Sequence, residues 1–115
     1  MNIEKKTIDA LILMGAPMKN AGAKYIVEAI RIYEKSVEWT SVSTMSLYKE
    51  IAQKYGTTEV SVERSIRYLF FKLVSKGNNE YMDKYFGKNS RGNTNRLATF
   101  YIRLKQEAGD EESIY

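Results

Sequence analysis

The stretch LYKEIAQKYGTTEVSVERSIRYL, residues 47–69, decides how this chain is read. Ile51 and Ala52 close a first apolar run, Gly56 interrupts it, and Val62 and Ile66 open a second. Glycine suits the left-handed position that ends a helix. A small Ala52 lets two helices cross closely, and Val62 anchors the second on the first. Together these form a helix-turn-helix pattern. At about 100° per residue, Val62, Ile66, Leu69 and Leu73 fall within roughly 60° of one another and make an apolar seam. Arg64, Arg67, Tyr68, Phe71 and Ser75 fall on the other side, with Glu63 at the boundary. Such charges can simply be solvated, and Glu63 with Arg67 can form an i,i+4 ion pair worth a few tenths of a kcal/mol. The polar members cluster in the first half of the helix, the part a recognition helix inserts into the major groove. There arginine can read guanine and a carboxylate can accept from cytosine.

Outward from this stretch the chain reads as helix almost throughout. Ile8, Leu11 and Ile12 recur at helical spacing from about residue 3 to Met14, and Gly15 and Pro17 stop the run. A second helix is expected over 20–37, with Ile26, Ala29, Ile30, Tyr33 and Val37 as its apolar stripe and Lys24, Glu28, Glu34 and Lys35 off it. Residues 40–44 read as a loop ending in an N-cap at Thr44 or Ser46. The third helix follows and ends at Gly56. The fourth spans 59–76, with Gly77 as its stop. A short fifth helix begins after Asn78 and ends at Gly87. The last begins near Asn93, read as its N-cap, and buries Leu97, Phe100, Tyr101 and Leu104. The expected architecture is all-α: a single domain of about six helices over 1–108, with an acidic, disordered tail at 109–115.

Composition narrows the function. The 115 residues carry no cysteine and no histidine. That removes thiolate metal sites, the usual general base near neutral pH, and every Ser/His or Cys/His nucleophile arrangement. No phosphate-cradling Gly-rich motif is present, so an enzyme is not expected. No metal, cofactor or small-molecule substrate is expected either. The first residues hold too short an apolar stretch for a signal peptide or a membrane span, which makes the cytoplasm, at the nucleoid, the expected location. Residues 46–105 hold twelve Lys/Arg and five Asp/Glu, a net +7, whereas 1–45 carry +1 and 106–115 carry −4. A basic field of this kind favours a polyanion. Lys49, Lys54, Lys72, Lys84, Lys88, Arg91 and Arg96 could each hold a phosphate or be merely solvated. Phe71 reads as a residue packed under the fifth or sixth helix, with a protein interface as the sharper alternative.

The segments LILMGAP, GAKYIVEAI, LYKEIAQKYGTTEVSVERSIRYLFFKLVSKGN and YFG resemble the C-terminal effector domain of the stage 0 sporulation response regulator A family of endospore-forming bacteria. The resemblance runs from about Ile8 to Leu104 and is densest from Tyr48 to Asn78. It implies a six-helix transcription regulator whose fourth helix reads a short TGTCGAA-like box in double-stranded DNA, often in tandem. Glu63, Arg64, Arg67 and Tyr68 match the family's base-reading and phosphate-contacting positions, with Tyr68 where histidine is expected. Ser61 stands where the family carries a basic base-contacting residue. Thr57, Thr58, Lys49, Lys72, Lys88 and Arg91 are the candidate phosphate contacts, although the loop at 88–92 is shorter than the family's. No receiver segment precedes the resemblance, so a stand-alone effector domain is expected, its activity set by concentration and a second copy joining it only on tandem sites. The alternative is a helix-turn-helix-derived interaction module that antagonises a full-length regulator.

Overall fold

A computed structural model describes residues 2–113, with side chains described as far as Gly109. Six α-helices follow in order: α1 Ile3–Met14, α2 Ala21–Lys35, α3 Thr44–Tyr55, α4 Glu59–Lys76, α5 Asn79–Phe86 and α6 Gly92–Ser113. A single 3₁₀ turn, Trp39–Ser41, links α2 to α3, and no strand occurs among the described residues. Local chemistry sets the starts. Asn2, Asn20, Ser43, Thr58 and Asn78 each accept a backbone N–H of the first turn through the side chain. The α3 cap is therefore Ser43, one residue before the expected Thr44. The end of α3 is as read: Gly56 adopts φ +65°, and its N–H returns to the Ala52 carbonyl.

α2 is the central element and packs on α1, α3, α4 and α6. Ile26, Ala29 and Ile30 are fully buried and Tyr33 nearly so. Its expected stripe ends early, because α2 stops at Lys35 and leaves Val37 99% exposed. Glu28, placed off the stripe, is 6% exposed. It lies in the angle between α2 and α3, where Lys54 Nζ at 2.8 Å and Arg31 Nη1 at 3.3 Å neutralise it. In α1 the inward row is Thr7, Ala10, Leu11 and Met14, and Ile12 turns outward, one step of about 100° past Leu11.

The α4 seam is as the spacing predicts. Val62, Ile66, Leu69 and Leu73 are buried, joined by Phe70. It is Phe70 that packs under α5 and α6: its ring meets Phe86 edge-on at 5.2 Å, and Phe86 meets Phe100 at 5.1 Å. Phe71, expected there, points outward and is 65% exposed. Phe70 lies one step of about 100° from the seam residue Leu69 and still falls on the buried side, and the next step carries Phe71 past its edge. Leu97, Phe100, Tyr101 and Leu104 are buried on α6 as expected. α6 begins at Gly92, so Asn93 is not its cap but a residue of the first turn. The α6 backbone runs on to Ser113, and the rest of the expected tail lies outside the described residues.

Where α2 meets α4 the backbones nearly touch. A Cβ on Gly22 would lie within van der Waals overlap of the Ser65 carbonyl oxygen and 3.0 Å from Leu69 Cβ. This crossing sets the pitch at which α4 leaves the core and turns its other face outward.

Candidate nucleic-acid interface

α4 projects from a three-residue turn, Gly56 to Thr58, with its seam held by α2 and α3. Its first turn is ordered by Thr58, whose Oγ1 accepts the Ser61 N–H at 3.1 Å. The Thr58 hydroxyl hydrogen stays available to an acceptor outside the protein. Ser61, Arg64, Arg67 and Tyr68 are exposed along the outer face, and Glu63 is half-buried at its edge. Arg64, Arg67, Tyr68 and Phe71 surround one shallow, open depression. Both arginines of the sequence reading are thus brought together, with two aromatic rings beside them.

The two members of the expected ion pair do meet. Arg67 Nε lies 3.5 Å from Glu63 Oε1. The contact is made through Nε, and the Arg67 side chain stays mostly exposed. Arg64 forms no ion pair among the described residues. Lys72 Nζ sits 5.4 Å over the Tyr68 ring, a cation–π contact that places its charge on the flank of the face.

Behind Glu63 is a brace that sequence reasoning missed. The Asn93 side-chain amide donates to the Tyr48 hydroxyl at 3.0 Å and to the Glu63 carbonyl at 3.2 Å. One amide thereby ties α3, α4 and α6 together directly under the Glu63–Arg67 pair. Burial raises the Tyr48 phenol above its ordinary pKa, against the opposing pull of the Asn93 bond, so the hydroxyl is neutral around pH 7. An Asn before a helical run signals a cap from sequence alone, and nothing local showed that its amide would reach across to two other helices.

The remaining basic residues divide into two sets. Lys54 and Lys84 are taken up by Glu28 and Glu107, at 2.8 and 3.1 Å. The hydrogen bond to Glu107 holds the Lys84 ammonium above its usual pKa. Lys49 is exposed on α3, and Thr57 is half-buried in the turn. Lys88 and Arg91 sit between α5 and α6, in a recess that also holds Arg96 and is bounded by Val74 of α4. They therefore lie toward the C-terminal half of α4, separate from the Arg64 depression. No three Asp or Glu side chains gather as a metal site, and no helix is long and apolar enough to cross a membrane, among the described residues.

The geometry is that of an all-α domain with a buried seam on one side of α4 and two exposed arginines on the other. The chain belongs to the family described as sporulation initiation factor Spo0A C terminal, which matches residues 7–104. That family is a DNA-binding effector domain of transcription regulators of sporulation, and it is not an enzyme family.

Proposed function

We propose that this chain is a sequence-specific DNA-binding transcription regulator that inserts α4 into the major groove. The observation that carries the reading is the exposed Arg64 and Arg67 on the face opposite the seam, with Glu63 steadying Arg67 from inside. Guanidinium donors at these two positions suit the O6 and N7 acceptors of guanine, and Glu63 can take a cytosine amino hydrogen at the edge of the face. Tyr68 offers an apolar ring and a hydroxyl to the same groove. Thr57, Thr58, Lys49, Lys72, Lys88 and Arg91 supply phosphate contacts, which fix register without reading sequence. This role puts the protein in the cytoplasm, with the chromosome.

Phosphate neutralisation gives the first expected result. With about four phosphates engaged, log K should fall against log salt with a slope of about −3.6. A filter-binding titration between low and moderate salt measures it. A slope near zero would leave the interaction-module reading in its place.

Ser61 gives the second. Its hydroxyl caps nothing and faces outward one turn before Arg64, but it is too short to grip guanine in a bidentate manner. The chain should prefer a box altered from TGTCGAA at one or two positions, and Ser61→Arg should move the preference back toward that box. Selection from random DNA with both proteins checks this, and identical preferences would show that position 61 reads nothing.

A second copy on adjacent sites is the reading that Phe71 and Val74 favour, since both are apolar and more than half exposed on the distal part of α4. Such pairing should give cooperative binding to two boxes at one spacing and none when the spacing is shifted by half a turn. Titration of both duplexes decides it: equal binding at the two spacings means each copy binds alone.

A further inference from the structure

The recess between α5 and α6 has features that solvation of a basic loop does not explain. Lys88, Ser90 and Arg91 line it from the loop, Arg96 from α6, Val74 from α4, and Asn79, Asp83 and Phe86 from α5. Its volume is about 340 Å³. Three cations share it with one carboxylate, Asp83. The Arg96 guanidinium lies over the Phe70 ring, with Cζ 5.7 Å from its centroid. Arg96 is partly buried and close enough to feel the charge of Arg91, and both effects lower its pKa. Two guanidiniums are thus held near one another with no carboxylate paired to either among the described residues. The Ser90 Oγ is fully buried and has no hydrogen-bond partner. Buried hydroxyls are rarely left unsatisfied, and such an orphan marks a place where a partner is missing.

We propose that this recess is a phosphate pocket. In it Arg96 and Arg91 grip the oxygens of one phosphate group and Lys88 closes the rim, and rotation of the Ser90 side chain about its Cα–Cβ bond brings the buried hydroxyl to the anion as a donor. Guanidinium forks match phosphate geometry, and charge-assisted bonds to it are the stronger kind. Asp83 stands on the opposite wall and disfavours a fully ionised free anion more than a singly charged diester. The favoured source is therefore a backbone phosphate of the DNA strand flanking the groove, on the side of α4 away from Lys72. That choice of source rests on the function proposed above, whereas the pocket itself does not.

The test has two arms, run on the full chain and on Arg96→Gln, with Arg91→Gln as a second variant because Arg91 is exposed and touches no core ring. In the first arm, inorganic phosphate is titrated at constant ionic strength while backbone amide resonances are followed. Saturable shifts at Ser90, Arg91 and Gly92 are expected, with affinity lowered about tenfold in either variant, as loss of one charge-assisted bond implies. In the second arm, the salt slope of DNA binding is measured; the Arg91→Gln/Arg96→Gln double variant should lose about 0.9 of it, the contribution of one phosphate, and each single variant a part of that. Loss in the first arm alone identifies a free phosphate as the ligand. Loss in the second arm alone identifies a DNA phosphate. Unshifted amides in the first arm together with an unchanged slope in the second overturn the pocket. A wild-type slope near zero removes the DNA reading while the first arm still decides the pocket.

Discussion

Replacing Arg64 with alanine should cost on the order of 1–3 kcal/mol of affinity for the preferred duplex, roughly a five- to 150-fold loss, and should flatten the sequence preference. The size follows from what Arg64 does in the free protein. It is exposed, it lies on the side of α4 opposite the buried seam, and it holds no ion pair among the described residues. Removing it therefore leaves folding stability within about 0.5 kcal/mol, as is usual for surface positions. The whole effect should appear in binding. Arg67 makes a less clean test, because its loss also strips Glu63 of its partner at 3.5 Å and leaves a bare carboxylate facing the duplex. Lys72→Ala is the contrasting variant: it carries its charge over the Tyr68 ring, so all sequences should weaken alike and only slightly. Equilibrium binding to the preferred and to a scrambled duplex, with thermal unfolding as the check on folding, measures both. A folded Arg64→Ala protein that keeps its affinity and its preference would remove α4 as the reading element.

What the sequence made legible is what repeats with the period of a helix. The α4 seam, the Gly56 turn and the buried row of α6 all came from spacing, because each is fixed by neighbours on the same element. The failures share the opposite cause. Phe70 and Phe71 are adjacent and equally apolar, and the rotation that buries the first and exposes the second depends on where α5 and α6 lie. Glu28 is charged and would ordinarily be placed in water. It is buried because Lys54, twenty-six positions later, arrives from α3 to meet it. Asn93 looked like a cap because caps are local, whereas its amide bonds to two helices distant in sequence. Of the candidate interface, the members on α4 were legible as a face. The recess at Arg96 was not, since it is assembled from three helices and a loop, and its distinguishing mark is a hydroxyl whose burial no local pattern records.

Gly22→Ala should destabilise the fold by about 1–3 kcal/mol, the range for inserting atoms into a packed crossing. Helix propensity alone argues the other way, since alanine is favoured over glycine by about 1 kcal/mol within a helix. Geometry decides the sign. The new methyl would overlap the Ser65 carbonyl oxygen, which is backbone and cannot swing aside as a side chain can, and Leu69 Cβ stands 3.0 Å away. Trimming Leu69 would not relieve the overlap, because the first obstacle is the α4 main chain. α2 and α4 must then separate, and a domain of this size should lose about 4–8 °C in Tm per kcal/mol. The consequence reaches the interface, because Ser65 is the residue after Arg64 and a displaced Ser65 carbonyl carries Arg64 with it. The variant, studied well below its Tm, should therefore bind the preferred duplex more weakly while keeping most of its salt slope, since the phosphate contacts from α3 and the α5–α6 loop stay in place. Calorimetric unfolding and duplex titration test the two halves separately. A Gly22→Ala protein more stable than wild type would mean that propensity outweighs the crossing, and that α4 is not positioned by close approach to α2.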